Sequence, residues 1–167
     1  PACSPYAANL VLVSKPDGSI RICCDYRSLN AVTKRDSYPL PRIDQCLGAL
    51  GGRNAWYSTF DLRSGYHQVP MHPRDKAKTT FICHKGSFCF RKMPMGLVNA
   101  GATFQRLMDI VLAGLTFESC VVYLDDIIVF SADLEEHLQR VEQMLQRLVA
   151  FKLKLKPSKC RLLQKRV

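Results

Sequence analysis

Residues 120–130 read CVVYLDDIIVF, and this stretch constrains how the rest of the chain can fold. The segments 120–123 and 127–130 are rich in β-branched and aromatic residues, which predicts two buried strands. Asp125 and Asp126 then fall in the tight connection of a β-hairpin. Two adjacent carboxylates beside buried strands repel each other unless a cation neutralises them, and a divalent metal ion is the usual partner of carboxylate ligands. The alternative is an ordinary turn, because Asp is a common turn residue.

Length and composition indicate one globular α/β or α+β domain. The 167 residues are 47% hydrophobic, a share typical of a chain with a packed core. No apolar run is long enough for a transmembrane helix and no signal peptide opens the chain, so we expect no membrane partner. Lysine and arginine exceed the acidic residues by 24 to 14, giving a net charge of +10. This excess favours a polyanionic partner, with nucleic acid as the first candidate.

The eight cysteines include no Cys-x-x-Cys pair, which argues against a structural zinc site. Most of them lie in apolar stretches, and nothing else in the sequence indicates secretion. We therefore expect reduced, mostly buried thiols in an intracellular protein.

The first half of the chain is predicted to contain two hairpins and a helix. Residues 8–14 and 19–24 read as strands around a Lys-Pro-Asp-Gly turn. Pro41 opens a helix that ends at Gly51. Further strands are predicted over residues 55–62, 65–71, 79–83 and 87–92, the last two as a hairpin.

The second half is predicted to contain two helices and a final strand. Apolar residues at helical spacing predict a core helix over residues 99–115. Asp133 and Glu136 resemble a capping box, and the leucines that follow recur every three or four residues, which predicts an amphipathic helix. Residues 152–156 read KLKLK and alternate with period two, which predicts a strand with its lysines outward. The chain shows no internal repeat or linker, and it reads as a fragment at both ends.

A possible metal site arises if the strand that contains Asp61 lies beside the hairpin of Asp125 and Asp126. Three carboxylates then converge, which suits a pair of Mg²⁺ ions about 3.5–4 Å apart that hold the attacking and leaving oxygens of a phosphoryl transfer. The residues alone thus indicate a metal-dependent enzyme acting on nucleic-acid phosphates. They leave polymerase and nuclease open.

Six blocks of sequence, in order, resemble the reverse transcriptases of gypsy-type LTR retrotransposons, which are related to the retroviral enzymes. A lone Asp-Asp pair would be weak evidence, whereas six blocks with family-like spacing are strong evidence. The blocks are SPYAANLVLVSKPDGSIRICCDYRSLN (4–30), YPLPRID (38–44), STFDLRSGYHQVPM (58–71), KTTF with FRKMPMGLVNAGATFQRLMD (78–81, 90–109), YLDDIIVFS (123–131), and HLQRVEQMLQRL with LKLKPSKC (137–148, 153–160).

The resemblance implies an α+β fold: a polymerase palm, in which an antiparallel sheet is backed by helices, with part of the fingers subdomain. Residues 1–54 and 72–92 would be fingers-like, and residues 55–71 and 93–167 palm-like. The thumb, connection and ribonuclease H segments would be absent from these residues.

The resemblance also implies RNA-directed DNA polymerase activity, in which a deoxynucleotide is transferred onto a primer 3′-hydroxyl with the help of two metal ions. Asp61 and Asp125 would be the main metal ligands and Asp126 would support them. Leu62 would also contact a metal ion. The expected cofactors are two Mg²⁺ ions, with Mn²⁺ as a substitute.

Further positions match family residues around the incoming nucleotide. Lys15 and Arg21 match finger residues that contact its triphosphate. Tyr66 matches an aromatic residue beneath the sugar, a steric gate that would clash with a ribose 2′-hydroxyl. The positions that present backbone amides to the phosphates or line the nucleotide pocket and template are Ser64, Gly65, Met95, Gly96 and Gln105.

The partners implied by the resemblance are an RNA template, a DNA primer and dNTPs. The same polyprotein would carry protease, ribonuclease H and integrase segments. The expected location is a cytoplasmic virus-like particle, and afterwards the nucleus.

A feature of the sequence argues against each of three alternative functions. Tyr66 argues against an RNA-dependent RNA polymerase, which must accommodate the 2′-hydroxyl. The intact Asp61, Asp125 and Asp126 argue against a decayed element that only binds nucleic acid or protein. A two-metal nuclease would explain neither Tyr66 nor the fingers hairpin.

Overall fold

The computed structural model describes residues 1–14 and 18–166, which fall into two units. The first unit contains Pro1–Asp36 and Tyr66–Ala100, and the second contains Ser37–Gly65 and Gly101–Val167. Each unit is therefore assembled from two separate stretches of sequence. The division into fingers-like and palm-like segments stays a prediction.

Eight strands and four α-helices are found among the described residues. Short 3₁₀ helices cover Gly65–Gln68, Lys76–Thr79 and Pro157–Lys159. In chain order the strands and α-helices are β1 (Leu10–Ser14), β2 (Ile20–Cys24), α1 (Arg27–Val32), α2 (Ile43–Leu50), β3 (Trp56–Asp61), β4 (Phe81–Cys83), β5 (Gly86–Phe88), α3 (Ala100–Val111), β6 (Cys120–Tyr123), β7 (Asp126–Ser131), α4 (Leu134–Ala150) and β8 (Arg161–Gln164).

The first unit is built on two small hairpins. β1 pairs antiparallel with β2 and β4 with β5, which confirms both predicted hairpins, although β4 and β5 are shorter than expected. Residues 15–17 of the predicted Lys-Pro-Asp-Gly turn lie outside the described residues. Tyr26 is buried in this unit and its hydroxyl donates to the carbonyl of Thr79 at 3.0 Å. The amide of Asn30 donates to the carbonyl of Gly96 at 2.8 Å. These bonds join the two stretches of sequence that form the unit.

The predicted strand over residues 65–71 is wrong. Its first half is the 3₁₀ helix Gly65–Gln68, and its second half makes only an isolated bridge between Pro70 and Lys92. Pro70 has no N–H group to donate, so it cannot continue a regular ladder. The alternation of apolar residues was therefore misleading at this position.

The second unit contains a four-stranded antiparallel sheet in the order β6-β7-β3-β8. One face carries Val121 and Phe130, which pack with Cys46 of α2. The other face meets α4, because His137 of that helix lies within hydrogen-bonding distance of Ser58. The sheet is thus covered by helices on both faces, which explains why the central strand β7 is apolar from Ile127 to Phe130.

The helix predictions are confirmed, with shifted ends. α2 begins at Ile43 rather than Pro41, and α3 ends at Val111, before the predicted Leu115. α4 begins as predicted: the side chain of Asp133 accepts from the backbone N–H of Glu136 at 2.9 Å. This bond satisfies one of the amide groups that a helix N-terminus leaves unpaired.

The predicted strand at residues 152–156 is also wrong. Only Leu155 pairs there, through a single bridge to Leu62, although Leu153 and Leu155 are partly buried and the lysines exposed as expected. The chain turns away because Pro157 starts a 3₁₀ helix. The strand that completes the sheet is instead β8, which the sequence pattern did not predict. Its pairing with β3 is irregular at Ser58.

The cysteines are all free, but only Cys46 and Cys120 are buried, so the expectation of mostly buried thiols is wrong. Five of the others are partly exposed and Cys3 is exposed. Among the described residues, no helix is both long and apolar enough to cross a membrane.

Candidate active site

The hairpin between β6 and β7 places Asp125 in its turn, while Asp126 is the first residue of β7 and pairs with Tyr123. Leu124, the other turn residue, has a positive φ of 54°. This is an uncommon conformation for a residue with a branched side chain, and the surrounding structure must hold it in place.

Gln105 supplies that support from α3. Its side-chain oxygen accepts from the backbone N–H of Leu124 at 3.1 Å, and its amide nitrogen donates to Asp109 at 3.0 Å. Asp109 in turn accepts from the hydroxyl of Tyr38 at 2.6 Å. A line of hydrogen bonds therefore ties the turn to the helix behind it.

Gln105 was predicted to line the nucleotide pocket and template. Its side chain is completely buried, and both ends of its amide group are bonded within the protein. In this structure it positions the turn, and its contact with nucleotide or template stays a prediction. The sequence alone did not reveal this role because Leu124 is 19 positions away, in the turn between β6 and β7.

Asp61 and Asp126 lie directly opposite each other on neighbouring strands. They form the last residue pair between β3 and β7. Next to this pair, the backbone N–H of Leu62 donates to the carbonyl of Asp125 at 3.4 Å. The three aspartates therefore sit at the same end of adjoining strands, as the sequence predicted. Like charges directly opposite each other on a sheet are destabilising, so this end of the sheet requires a counter-charge.

The carboxylate of Asp125 is the least satisfied group of the site. Its Oδ1 is buried and has no hydrogen-bond partner among the described residues. Burial raises the pKa of this carboxyl, the charges of Asp126 and Asp61 raise it further, and Lys159 opposes the shift. A partly buried acid without a donor costs stability, and such acids are concentrated at functional sites.

Gly65 brings the backbone against this carboxylate. A β-carbon at this position would lie 2.8 Å from Oδ1 of Asp125 and 2.8 Å from Cζ of Phe104. Only glycine fits without displacing one of these groups. Ser64, the preceding residue, has a positive φ of 50° and is exposed. The predicted phosphate-facing amides of Ser64 and Gly65 thus belong to a tight turn beside Asp125.

Lys159 is a site residue that the sequence analysis missed. Its ammonium group lies 2.8 Å from Oδ2 of Asp61. The two residues are 98 positions apart, and no local motif connects them. A cavity of about 280 Å³ opens beside this pair, and Asp126 and Arg161 also line it.

The described part of the chain offers few side-chain ligands for a metal ion. Within residues 1–14 and 18–166, no three His, Cys, Asp or Glu side chains form a group that could hold an ion by themselves. The expected convergence of three carboxylates into one ligand set is therefore not seen. The oxygen donors nevertheless fit Mg²⁺, which takes one or two carboxylates and completes its shell with waters and substrate phosphates. The unpartnered Oδ1 of Asp125 is such a donor. Leu62 could contribute only its backbone carbonyl, since its side chain is apolar.

The other predicted nucleotide-binding residues belong to the first unit. Arg21 is exposed on β2, Met95 is 40% exposed and Tyr66 is partly buried. Gly96 has a positive φ of 94°, a conformation that favours glycine. Lys15 lies outside the described residues.

The sheet, the helices on its two faces and the aspartates at one end of its strands define a polymerase palm. The family model for "Reverse transcriptase (RNA-dependent DNA polymerase)" matches residues 13–167. The chain therefore belongs to the reverse transcriptase family, which confirms the resemblance found in the sequence.

Relatives and solved structures agree with this assignment. The chain is 42% identical over 167 residues to the retrovirus-related Pol polyprotein from transposon 297 of Drosophila melanogaster, covering 97% of this chain and 16% of that protein. It is 34% identical over 173 residues to the corresponding polyprotein from transposon gypsy of Drosophila melanogaster, covering 100% of this chain and 17% of that protein. The chain thus spans about one sixth of these relatives.

The fold matches a solved structure of the foamy viral protease-reverse transcriptase dRH in complex with double-stranded DNA. The TM-score is 0.89 at 26% sequence identity, and the match covers 99% of this chain and 29% of that chain. The predicted α+β palm fold is thereby confirmed.

Proposed function

We propose that this chain is the polymerase core of an LTR retrotransposon Pol polyprotein and catalyses RNA-directed DNA synthesis. The observation that carries the proposal is that Oδ1 of Asp125 is buried without a hydrogen-bond partner among the described residues, next to the opposed pair Asp61 and Asp126. A buried carboxylate oxygen without a hydrogen-bond donor destabilises the fold. Such groups are concentrated at functional sites, and in this family the site acts on phosphates.

Asp61 and Asp125 would hold the divalent cations, two Mg²⁺ ions with Mn²⁺ as a substitute. Asp126 would add negative charge beside them, and Leu62 would offer its backbone carbonyl. When bound, the cations would lower the pKa of the primer 3′-hydroxyl and neutralise negative charge on the triphosphate. This assignment uses only oxygen donors, which suits a hard cation.

In the reaction, the primer 3′-oxygen loses its proton and forms a bond to the α-phosphorus of a dNTP. The bond from that phosphorus to pyrophosphate breaks. Gln105 keeps the turn of Asp125 in position through Leu124, so the carboxylate does not have to be ordered during the reaction. Gly65 lets the backbone pack against this carboxylate, and the backbone amides of Ser64 and Gly65 would face the phosphate oxygens.

Further nucleotide contacts are proposed from the family resemblance. Lys15 and Arg21 would contact the triphosphate as cations. Tyr66 would act as the steric gate against ribonucleotides. Met95 and Gly96 would line the pocket, where the glycine allows a backbone conformation that a side chain would strain.

The proposed partners are an RNA template and a DNA primer. The net charge of +10 supports binding to a polyanion, and the matched foamy viral enzyme is bound to double-stranded DNA in its structure. Protease, ribonuclease H and integrase segments of the same polyprotein would act with it. The proposed location is a cytoplasmic virus-like particle, and afterwards the nucleus.

The test is primer extension on poly(rA)/oligo(dT) with Mg²⁺ and dTTP, using the full natural chain that carries these residues. Asp125→Asn should abolish incorporation, because it removes the charge that holds the cation while preserving side-chain size. Asp44→Asn is the matched control: Asp44 lies in the same unit and is paired with Arg42 at the surface, so this variant should retain activity. Tyr66→Ala should incorporate ribonucleotides that the natural chain rejects.

A folded natural chain that binds the template–primer but incorporates no dTTP would contradict the proposal. That result would favour a protein that only binds nucleic acid. Equal incorporation by the natural chain and Asp125→Asn would show that the activity does not depend on this site.

A further inference from the structure

Lys159 provides the counter-charge that the opposed aspartates require. Its ammonium group lies 2.8 Å from Oδ2 of Asp61, and Asp126 stands opposite Asp61 on the next strand. The side chain of Asp61 is 20% exposed, whereas that of Lys159 is 58% exposed. The carboxylate is therefore held in the sheet, while the lysine reaches it from solvent and has room to move away.

Backbone hydrogen bonds place Lys159 at this position. The N–H of Lys156 donates to the carbonyl of Asp61 at 2.8 Å, and the N–H of Arg63 donates to the carbonyl of Lys154 at 2.9 Å. The segment therefore runs alongside the end of β3. The 3₁₀ helix that begins at Pro157 then turns the chain back, so that Lys159 faces Asp61.

The ammonium group and a divalent cation compete for the same oxygens. Lys159 engages Oδ2 of Asp61, one of the two oxygens that this carboxylate can offer to an ion. A cation bound by Asp61 and Asp125 would also repel a positive charge at this distance. The ion pair is accessible to solvent, and pairs of this kind are weak, so a divalent cation can displace the lysine.

We propose that Lys159 is a built-in counter-ion that occupies Asp61 while the site holds no metal, and that it lowers the affinity of the site for divalent cations until substrate brings additional ligands. This inference rests on the proposed function, since it concerns the same carboxylates. Lys159 is a positioning residue in this scheme: it keeps Asp61 and Asp126 together without a metal and releases them when an ion binds.

The experiment measures Mn²⁺ binding by the electron paramagnetic resonance signal of the free ion, in the full natural chain without nucleotide or nucleic acid. Lys159→Gln should bind Mn²⁺ about three- to tenfold more tightly than the natural chain, because it removes both the competitor and its repulsion. Lys159→Arg keeps the charge and should stay within about twofold of the natural chain. Lys78→Gln removes a charge from the exposed Lys78–Asp75 pair and serves as the matched control, with unchanged affinity.

The double variant Asp61→Asn/Lys159→Gln assigns the effect to this pair. If Lys159 acts through Asp61, removing the lysine should change the affinity much less once Asp61 is neutral. Unchanged or weaker Mn²⁺ binding by Lys159→Gln overturns the inference, because a merely structural lysine would not improve metal binding when removed.

Comparing Mn²⁺ binding by Asp125→Asn and Lys159→Gln separates a wrong counter-ion role from a wrong metal site. If Asp125→Asn weakens Mn²⁺ binding but Lys159→Gln leaves it unchanged, the metal site stands and the counter-ion role is wrong. If neither substitution changes Mn²⁺ binding, both the metal site and the counter-ion role are wrong.

Discussion

A β-carbon placed on Gly65 would lie 2.8 Å from Oδ1 of Asp125, so the backbone at Gly65 packs against this carboxylate oxygen. This contact joins the turn after β3 to the turn between β6 and β7. Residue 65 must therefore be glycine because a side chain would clash with Asp125 and Phe104, and not because of its backbone φ.

Gly65→Ala should therefore reduce primer extension about 10- to 100-fold, because the added methyl group must displace Asp125 or Phe104. The expected cost in the free energy of unfolding is about 1–3 kcal/mol, as for other overpacked positions. Rates per folded molecule and thermal denaturation measure the two effects. Gly48→Ala is the control, because a β-carbon on Gly48 meets nothing within 4 Å. Full activity in the Gly65→Ala variant would show that the site tolerates a displaced carboxylate.

Gln105→Leu should lower the free energy of unfolding by about 2–3 kcal/mol, since the partly buried N–H of Leu124 and the carboxylate of Asp109 both lose a partner. Primer extension should fall as well, because the turn that carries Asp125 loses its support. Denaturant unfolding and single-turnover extension measure these effects. Gln139→Leu, at an exposed position on α4, should change neither. Normal stability with reduced activity in Gln105→Leu would instead indicate direct contact with substrate.

Asp125→Asn should raise the free energy of unfolding by about 1 kcal/mol when no metal is present, even though it abolishes activity. Burial and the charges of Asp126 and Asp61 disfavour the ionised carboxylate, as its raised pKa indicates. Thermal denaturation at neutral pH measures the change. Added Mg²⁺ should stabilise the natural chain but not the variant. Asp75→Asn should have no such stabilising effect, because the pKa of Asp75 is lowered by its bond to Lys78. A destabilised Asp125→Asn variant would contradict the predicted cost of this charge.

His137 lies at the centre of a second buried network, behind the sheet. Ser131 donates its hydroxyl to the carbonyl of Asp133 at 2.8 Å, so it accepts from Nδ1 of His137 at 3.0 Å. Ser58 accepts from the backbone N–H of Leu163 at 3.1 Å and donates to Nε2 of His137 at 2.8 Å. The two serine hydroxyls, the N–H of Leu163 and the imidazole N–H each have an acceptor only if the imidazole is neutral and carries its proton on Nδ1.

Protonation of His137 should therefore destabilise the second unit. Burial lowers the pKa of His137 below its ordinary value of 6.5, the charge of Arg140 lowers it further, and Glu136 opposes the shift. Neutral His137 thus contributes stability above pH 6.5 that is lost as the pH falls through its lowered native pKa.

The measurement is the difference in the free energy of unfolding between the natural chain and His137→Leu. This difference should be about 2 kcal/mol at pH 8 and should shrink as the pH falls from 6.5 towards 5. A difference that is independent of pH would mean that His137 contributes only by packing.

Local patterns in the sequence correctly predicted the elements whose partners are nearby in the chain. The apolar runs around Asp125 form the expected hairpin, and Asp133 caps α4 as its spacing to Glu136 indicated. The alternation at residues 65–71 failed because Pro70 cannot donate to a ladder and Gly65 is held against the carboxylate of Asp125, in the turn between β6 and β7. β8 was missed because its pairing with β3 is irregular and its residues lack a clean alternation.

The sequence by itself determined the chemistry available to this protein: aspartates placed at the ends of apolar strands, a basic chain, and blocks in the order of the reverse transcriptase family. The tertiary structure alone decided how that chemistry is arranged. It set Asp126 opposite Asp61, brought Lys159 to Asp61 across 98 positions, and placed Gln105 where it supports the turn that carries Asp125. The physical reason is that burial and hydrogen-bond partners depend on contacts between distant segments, which local periodicity does not record.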